Sequence, residues 1–323
     1  MAKKWRKRLV VAKIEDTYGA GSADMTGATL LEVKSLDGGN PYAGNTVARE
    51  RVRDGLGGFE QVNTSPYVER TFRVPLAGSG TAGEPPSYGI LLRACGLSQT
   101  VDTTTVGSES VTYQPVSDNH ESIELWWVED GQLQHSPGVR GTFTITTDAQ
   151  NLPHIEFSLT GLYKKTVNGG DASLATRGPQ AKELPVNKQN TLASIDSHLA
   201  RMSSFSINVG NQVDHTDLVN HVSVDINNRD VTGSTNIEAP DIATKDYFAM
   251  VESHNGVTLV AFSLTHKDAA EQEVVIEGDQ VQVNTITPTD NQSKIHYDLG
   301  LSFIPSPAND DDFRLVFRAT PAP

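Results

Sequence analysis

The sequence predicts a mainly β protein: two tandem β-sandwich or barrel domains, each with a short flanking α-helix. Three observations carry this. Apolar residues come in short runs that often alternate with polar ones. Gly (27) and Pro (16) punctuate the whole length as turn signals. The order strand, proline, helix, strand, hairpin occurs twice. With 323 residues and 37% hydrophobic content, the chain has room for two domains and enough apolar surface for a core.

Residues 1–27 read as a basic N-terminal arm. Residues 1–13 hold six positive charges and no acid, so the rest carries 20 basic and 40 acidic residues, a formal −20. Such a body repels nucleic acid. Trp5 and the following Leu9-Val10-Val11 suit a segment that docks on a neighbouring subunit's acidic surface better than a nucleic-acid arm. The candidates for that contact are Lys3, Lys4, Trp5, Arg6, Lys7 and Arg8.

The first unit spans about 28–163. It includes a Gly- and Arg-rich insertion at 35–66, expected as a loop or extended hairpin that reaches a neighbour. A strand ending in proline (Thr71–Pro75) follows. Then comes a helix over Ser87–Cys95, with Tyr88, Leu91, Leu92 and Cys95 on one face and Gly96 after its end. The strand Ser122–Val128 and a hairpin over Gly138–Tyr163 complete it. Residues 164–202 read as a polar linker, with a short helix expected at Thr191–Met202. The second unit spans about 203–305. Its strand ends at Pro240, its helix is expected over Ala243–Ser253, and its own strand and hairpin are Val257–Leu264 and Gly278–Phe303. Residues 306–323 are expected as a last edge strand and tail.

The two hairpins align without a gap at an offset of 140 residues, with Ile155/Ile295 and Leu159/Leu299 among the identities. Each second strand has a period-2 pattern, so one face is dry and the other wet. On the wet face lie His154, Glu156, Lys294, His296 and Asp298.

Thr71-Phe-Arg-Val-Pro-Leu-Ala-Gly-Ser-Gly-Thr-Ala-Gly83, followed by Tyr88-Gly-Ile-Leu-Leu-Arg-Ala-Cys-Gly96, resembles the tail tube proteins of long-tailed, non-contractile bacteriophages. So do the opening Lys4-Trp-Arg-Lys-Arg-Leu9 and Phe157-Ser-Leu-Thr-Gly-Leu-Tyr163. Ile237-Glu-Ala-Pro-Asp-Ile-Ala-Thr-Lys-Asp-Tyr-Phe248 looks like the same unit duplicated. The resemblance implies a β-sandwich with a flanking helix, forming rings that stack into a hollow tube for DNA ejection. It implies as partners further copies of the chain, a tape-measure protein and genomic DNA inside, and tail terminator and distal tail proteins at the ends. It places the protein in the virion tail, assembled in the host bacterial cytoplasm.

If each unit offers four lumen strands, three chains close a ring of about 24 strands, with a bore of roughly 40 Å. A trimeric ring with pseudo-sixfold symmetry is therefore expected; six chains are needed if only one unit lines the lumen. An acidic lumen lets DNA slide where a basic one would hold it. His154, Glu156, Lys294, His296 and Asp298 are the lumen candidates.

Enzymatic readings find little support, and no catalytic residue, cofactor or metal is expected. Gly78-Ser-Gly-Thr-Ala-Gly83 matches a dinucleotide fingerprint, but Pro85 and Pro86 follow and no βαβ pattern surrounds it; a flexible loop is expected instead. Asp310-Asp-Asp312 lacks calcium-loop spacing and reads as a solvated turn. The lone Cys95 excludes an internal disulfide. The apolar run after the basic head is too short for a secretory signal, and no segment approaches the ~20 apolar residues of a membrane span. Two alternatives stay open: another ring-forming phage or secretion-tube β protein, and a decoration or carbohydrate-binding β-sandwich.

Overall fold

A computed structural model of the chain describes residues 3–104, 107–170 and 172–319, apart from the Asp37 side chain. Residues 1–2 of the arm and 320–323 of the tail lie outside the described residues. The fold is mainly β, as the alternation predicts. Its first half contains β1 (Arg8–Ile14), β2 (Thr29–Leu30), β3 (Ser35–Gly38), β4 (Thr46–Ala48), β5 (Gln61–Asn63), β6 (Tyr67–Pro75), β7 (Leu97–Asp102), β8 (Ser110–Pro115), β9 (Ile123–Glu129), β10 (Gln132–Asp148) and β11 (His154–Leu162). Three short strands follow: β12 (Val167–Asn168), β13 (Thr176–Arg177) and β14 (Thr191–Ile195). The second half adds β15 (His198–Leu199), β16 (Met202–Asn208), β17 (Gln212–Leu218), β18 (His221–Asn228), β19 (Thr232–Glu238), β20 (Leu259–Lys267), β21 (Gln272–Asn291), β22 (Lys294–Phe303) and β23 (Arg314–Ala319). Among the described residues two α-helices, α1 (Gly89–Ala94) and α2 (Phe248–Val251), flank them, with a short 3-10 turn at Ala172–Leu174.

Eight strands form one antiparallel sheet in the order β3-β6-β11-β10-β16-β19-β22-β21. The strands β10 and β21 are 17 and 20 residues long, and each leaves this sheet for an outer layer. The first part of β10 pairs with β9, which pairs with β1. The first part of β21 pairs with β20 and β23, and β14, β8 and β7 extend that layer. Both bends carry a bulge. Ser136 and Val139 face Leu125 and Ile123, while Gly278 and Val281 face Phe262 and Val260. The extra residue raises the local twist and turns the strand from one layer into the other.

One core cluster fills the space between layers, from Phe72, Trp127 and Phe157 to Phe262, Leu299 and Phe303. Trp126 and Trp127 are neighbours on β9 and therefore point to opposite faces. Trp127 enters the main core, and Trp126 joins Val11 and Met25 in a smaller cluster. Tyr88, Leu91, Leu92 and Cys95 of the α1 region are fully buried. Gly96 ends that helix at φ +77°, the left-handed conformation that favours glycine.

The order of elements recurs. The series β1, β3, the hairpin β4-β5, β6, α1, β9, β10, β11 matches β14, β16, the hairpin β17-β18, β19, α2, β20, β21, β22. The register of β6 against β11 also recurs: Arg73, two residues before Pro75, faces Glu156, and Glu238, two residues before Pro240, faces His296, which lies 140 residues after Glu156. The insertion at 35–66 thus has a counterpart in the second half.

Several expectations change. The ungapped hairpin alignment does not survive as a shared register: Ile155 faces Ile145, whereas Ile295 faces Asp290 rather than Thr285. The reason is the turn. Residues Gln292 and Ser293, both at positive φ, close the second hairpin tightly, while the end of the first is drawn off to pair with β16. Within residues 191–202 the chain forms β14, β15 and the start of β16 rather than a helix, because β14 finds β20 as a partner. The second helix covers only Phe248–Val251, and Asp246 accepts the Ala249 N–H at its start. Tyr247 and Met250 are still buried, as the helix face requires. The C-terminal strand β23 lies between β21 and β8 and is not an edge.

Candidate functional site

The eight-stranded sheet has two faces of opposite character. Its inner face is core. Its other face is lined mainly by polar side chains, because most of the alternate residues along its strands are Thr, Ser, Asn, His or charged groups. Thr142, Thr144 and Thr146 on β10 sit beside Ser158, Glu156 and His154 on β11. The same row crosses the junction of the two halves, where Thr144 faces Asn208 and Thr146 faces Ser206. It continues through Ser234 and Asn236 on β19 to Gly300 and Asp298 on β22, and then to Thr285 and Thr287 on β21.

All five residues singled out from the sequence fall on this face. Glu156 pairs with Arg73 of β6 at 2.6 Å. Lys294 reaches Glu238 at 3.4 Å, and Arg201 approaches the same carboxylate at 3.4 Å. His296 is only 8% exposed and shares a 2.7 Å hydrogen bond with Asn236. Asp298 is exposed and accepts the Asn236 amide. With these pairs formed, Glu69, Asp148 and Asp298 outnumber Arg201, the second cation at Glu238, so the described side chains of the face carry a small acidic excess. It offers phosphates no basic stripe that would displace counterions. The Thr and Ser rows were missed by sequence reasoning, although Thr-x-Thr-x-Thr at 142–146 and Ser-x-Ser at 204–206 are readable signals.

The sheet ends on two strands with an open side. Beyond β6, β3 has no further partner among the described residues, and neither does the later part of β21 beyond β22. Open edges favour pairing with another chain unless blunted.

The basic N-terminal residues fold onto their own chain. The Lys4 N–H donates to Asp130 at 2.8 Å, Lys7 lies 3.5 Å from the same carboxylate, and Lys3 reaches the Asp130 carbonyl. Arg8 begins β1 and stacks on Trp5, which is 73% exposed. Arg6 flanks a groove with Lys7 and Asp130.

The glycine-rich loop is held, not flexible. Gly78 N–H donates to Asp268 and Gly80 N–H to Gln272, so the amides that a phosphate site would need are engaged. The acidic turn is ion-paired: Arg229 contacts Asp312 at 2.8 Å and Asp310 at 3.3 Å. Among the described residues, no group of three or more His, Cys, Asp or Glu could hold a metal. Burial pushes the Cys95 thiol up, away from a reactive thiolate.

Burial holds His135, His154, His215 and His266 below the ordinary imidazole value of 6.5; Lys164 adds to it at His135, and Lys34 and Arg73 at His154. His266 is fully buried, its ring nitrogens engaged by Thr191 and the Leu184 carbonyl. A histidine held neutral in the fold binds its proton first in the unfolded chain. Its stabilisation is full above 6.5 and falls as the pH drops toward the lowered folded value. The thermal midpoint is therefore expected to decline from pH 7 to about pH 5, and His266→Gln to flatten that slope. An unchanged midpoint across this window would contradict the assignment.

The fold thus defines a two-layered β protein whose widest sheet presents one continuous polar wall and two open edges. Residues 5–302 match the family described as phage tail tube protein, and the chain belongs to that family. It is a structural tail tube subunit of the virion tail that self-assembles into a tube. That family is structural and not a class of enzymes. No curated protein sequence matches the chain. Among the described residues no helix is long and apolar enough to cross a membrane.

Proposed function

We propose that three chains close each ring, with the polar face of the eight-stranded sheet as the lumen wall. The observation that carries this is the count of strands: eight per chain, in one sheet with an open edge at each end. Three such sheets, joined edge to edge, give a wall of about 24 strands and a bore of roughly 40 Å, wide enough for duplex DNA. His154, Glu156, Lys294, His296 and Asp298 then belong to the wall, where hydroxyls, amides and a slight acidic excess let DNA pass. The two halves act as tandem tube domains, about 28–163 and 203–305, and give the trimer its pseudo-sixfold symmetry. A tape-measure protein and the genome occupy the bore, terminator and distal tail proteins cap the ends, and assembly takes place in the host bacterial cytoplasm. Lys3, Lys4, Trp5, Arg6, Lys7 and Arg8 contact the adjacent ring, with exposed Trp5 as the apolar anchor.

Negative-stain electron microscopy across a concentration series tests this reading. Hollow rings or tubes with threefold or pseudo-sixfold end views are expected. A chain lacking residues 2–7 should give rings that stack poorly. Compact monomers at every concentration, even when seeded with tail fragments, would overturn the ring proposal; undiminished stacking of the shortened chain would overturn the arm's role.

A further inference from the structure

The bases of the two inserted hairpins are built alike, but only one has a seat within the chain. Ala43-Gly44-Asn45-Thr46-Val47 leads from β3 into β4, and Val209-Gly210-Asn211-Gln212-Val213 leads from β16 into β17. The two glycines occupy the same place. A Cβ on Gly44 would meet the Ser65 carbonyl at 2.4 Å, and one on Gly210 the Asp230 carbonyl at 2.2 Å. Both have positive φ, +142° and +64°. The asparagine after each glycine is therefore an equivalent position.

Their surroundings differ. Asn211 is 8% exposed, and its amide donates to the Cys95 carbonyl at 2.6 Å and the Gly141 carbonyl at 2.9 Å. It thereby latches the second half's hairpin onto the end of α1 and the flank of β10 in the first half. Asn45 is exposed, and its amide makes no hydrogen bond among the described residues. The matching seat in the second half is the end of α2 and the open side of β21. That seat is bare: residues 252–259 are exposed throughout, including Val257 at 54% and Leu259 at 41%.

We infer that Asn45 is an intersubunit latch, donating its amide to carbonyls at the end of α2 and along β21 of a second copy of this chain. The relation between the halves supplies the occupant. β16 pairs with β10 and its hairpin folds over the first half. Applied once more, the same step puts β3 beside β21 of the next copy and the β4-β5 hairpin over that copy's α2. The inference rests on the ring reading above and adds the contact that sets which edges meet.

The test uses the full-length chain with Asn45→Ala, Asn45→Asp and Asn211→Ala. Asn45→Ala should leave the monomer's thermal midpoint unchanged and raise the concentration needed for rings about tenfold, the effect of losing one buried amide's hydrogen bonds. Asn45→Asp should do more, since a carboxylate would face carbonyl oxygens. Asn211→Ala should lower the monomer's own midpoint. Rings from Asn45→Ala at the wild-type concentration would overturn the latch and leave the ring reading standing. So would a midpoint loss equal to that of Asn211→Ala. Absence of rings from the wild-type chain would overturn both.

Discussion

Arg140→Ala is expected to lower the unfolding free energy by about 2–4 kcal/mol, the range for removing a largely buried charged donor from several acceptors. Arg140 stands where β10 bends between layers, and its side chain is 14% exposed. Its guanidinium donates to the carbonyls of His120 and Val224 at 2.8 Å each and to Glu121 at 3.3 Å. It also pairs with Asp225 at 2.8 Å and lies over the Tyr18 ring. The Tyr18 hydroxyl in turn accepts the Val224 N–H at 2.6 Å. One side chain thus ties the β17-β18 hairpin and the segment before β9 to the first half. Chemical denaturation reads the loss, and hydrogen exchange locates it: amides of β17 and β18 should lose protection before those of β11. A loss under about 1 kcal/mol, the worth of one ordinary hydrogen bond, would show that the hairpin is held by other contacts.

Phe157→Ala should cost about 3–5 kcal/mol, the usual cost of emptying a fully buried aromatic site. Phe157 has no exposed surface and lies between Phe143 at 5.6 Å and Phe72 at 6.1 Å, with Trp127 behind Phe72 at 6.1 Å. These residues come from β6, β9, β10 and β11, so no single loop can move in to fill the space. Phe157→Leu, which retains more of the volume, should cost less than half as much. Denaturation midpoints at a constant slope test both. Equal costs for the two variants would mean that the site collapses around either side chain.

Period two made much of this architecture legible. Ile155, Phe157 and Leu159 are buried as their spacing predicts, and the opposed Trp126 and Trp127 enter separate clusters. The helix face of Tyr88, Leu91, Leu92 and Cys95 was equally plain. What could not be read depends on partners distant in sequence. Thr191–Ile195 looks helical in isolation, yet it pairs with residues about seventy positions later, and Ala193 and Ile195 are buried there while Leu192 is exposed. The strand at 314–319 gains its interior place only because β8, some two hundred residues earlier, comes alongside. Local chemistry also shortened α2: Asp246 caps it late, and the backbone turns extended at Glu252. The five residues share one face, as their spacing predicts, but the small net charge of that face arises from cross-strand pairs such as Arg73 with Glu156. Those pairs exist only once the register is set.

Cryo-electron microscopy of assembled tubes, at a resolution that separates strands, is the most direct measurement of the central claim. The predicted result is three chains per ring and an inner wall of about 24 strands, with Thr144, Ser206 and Asp298 facing the bore and β3 of one copy beside β21 of the next. Six chains per ring, or a wall whose polar row faces outward, would contradict it.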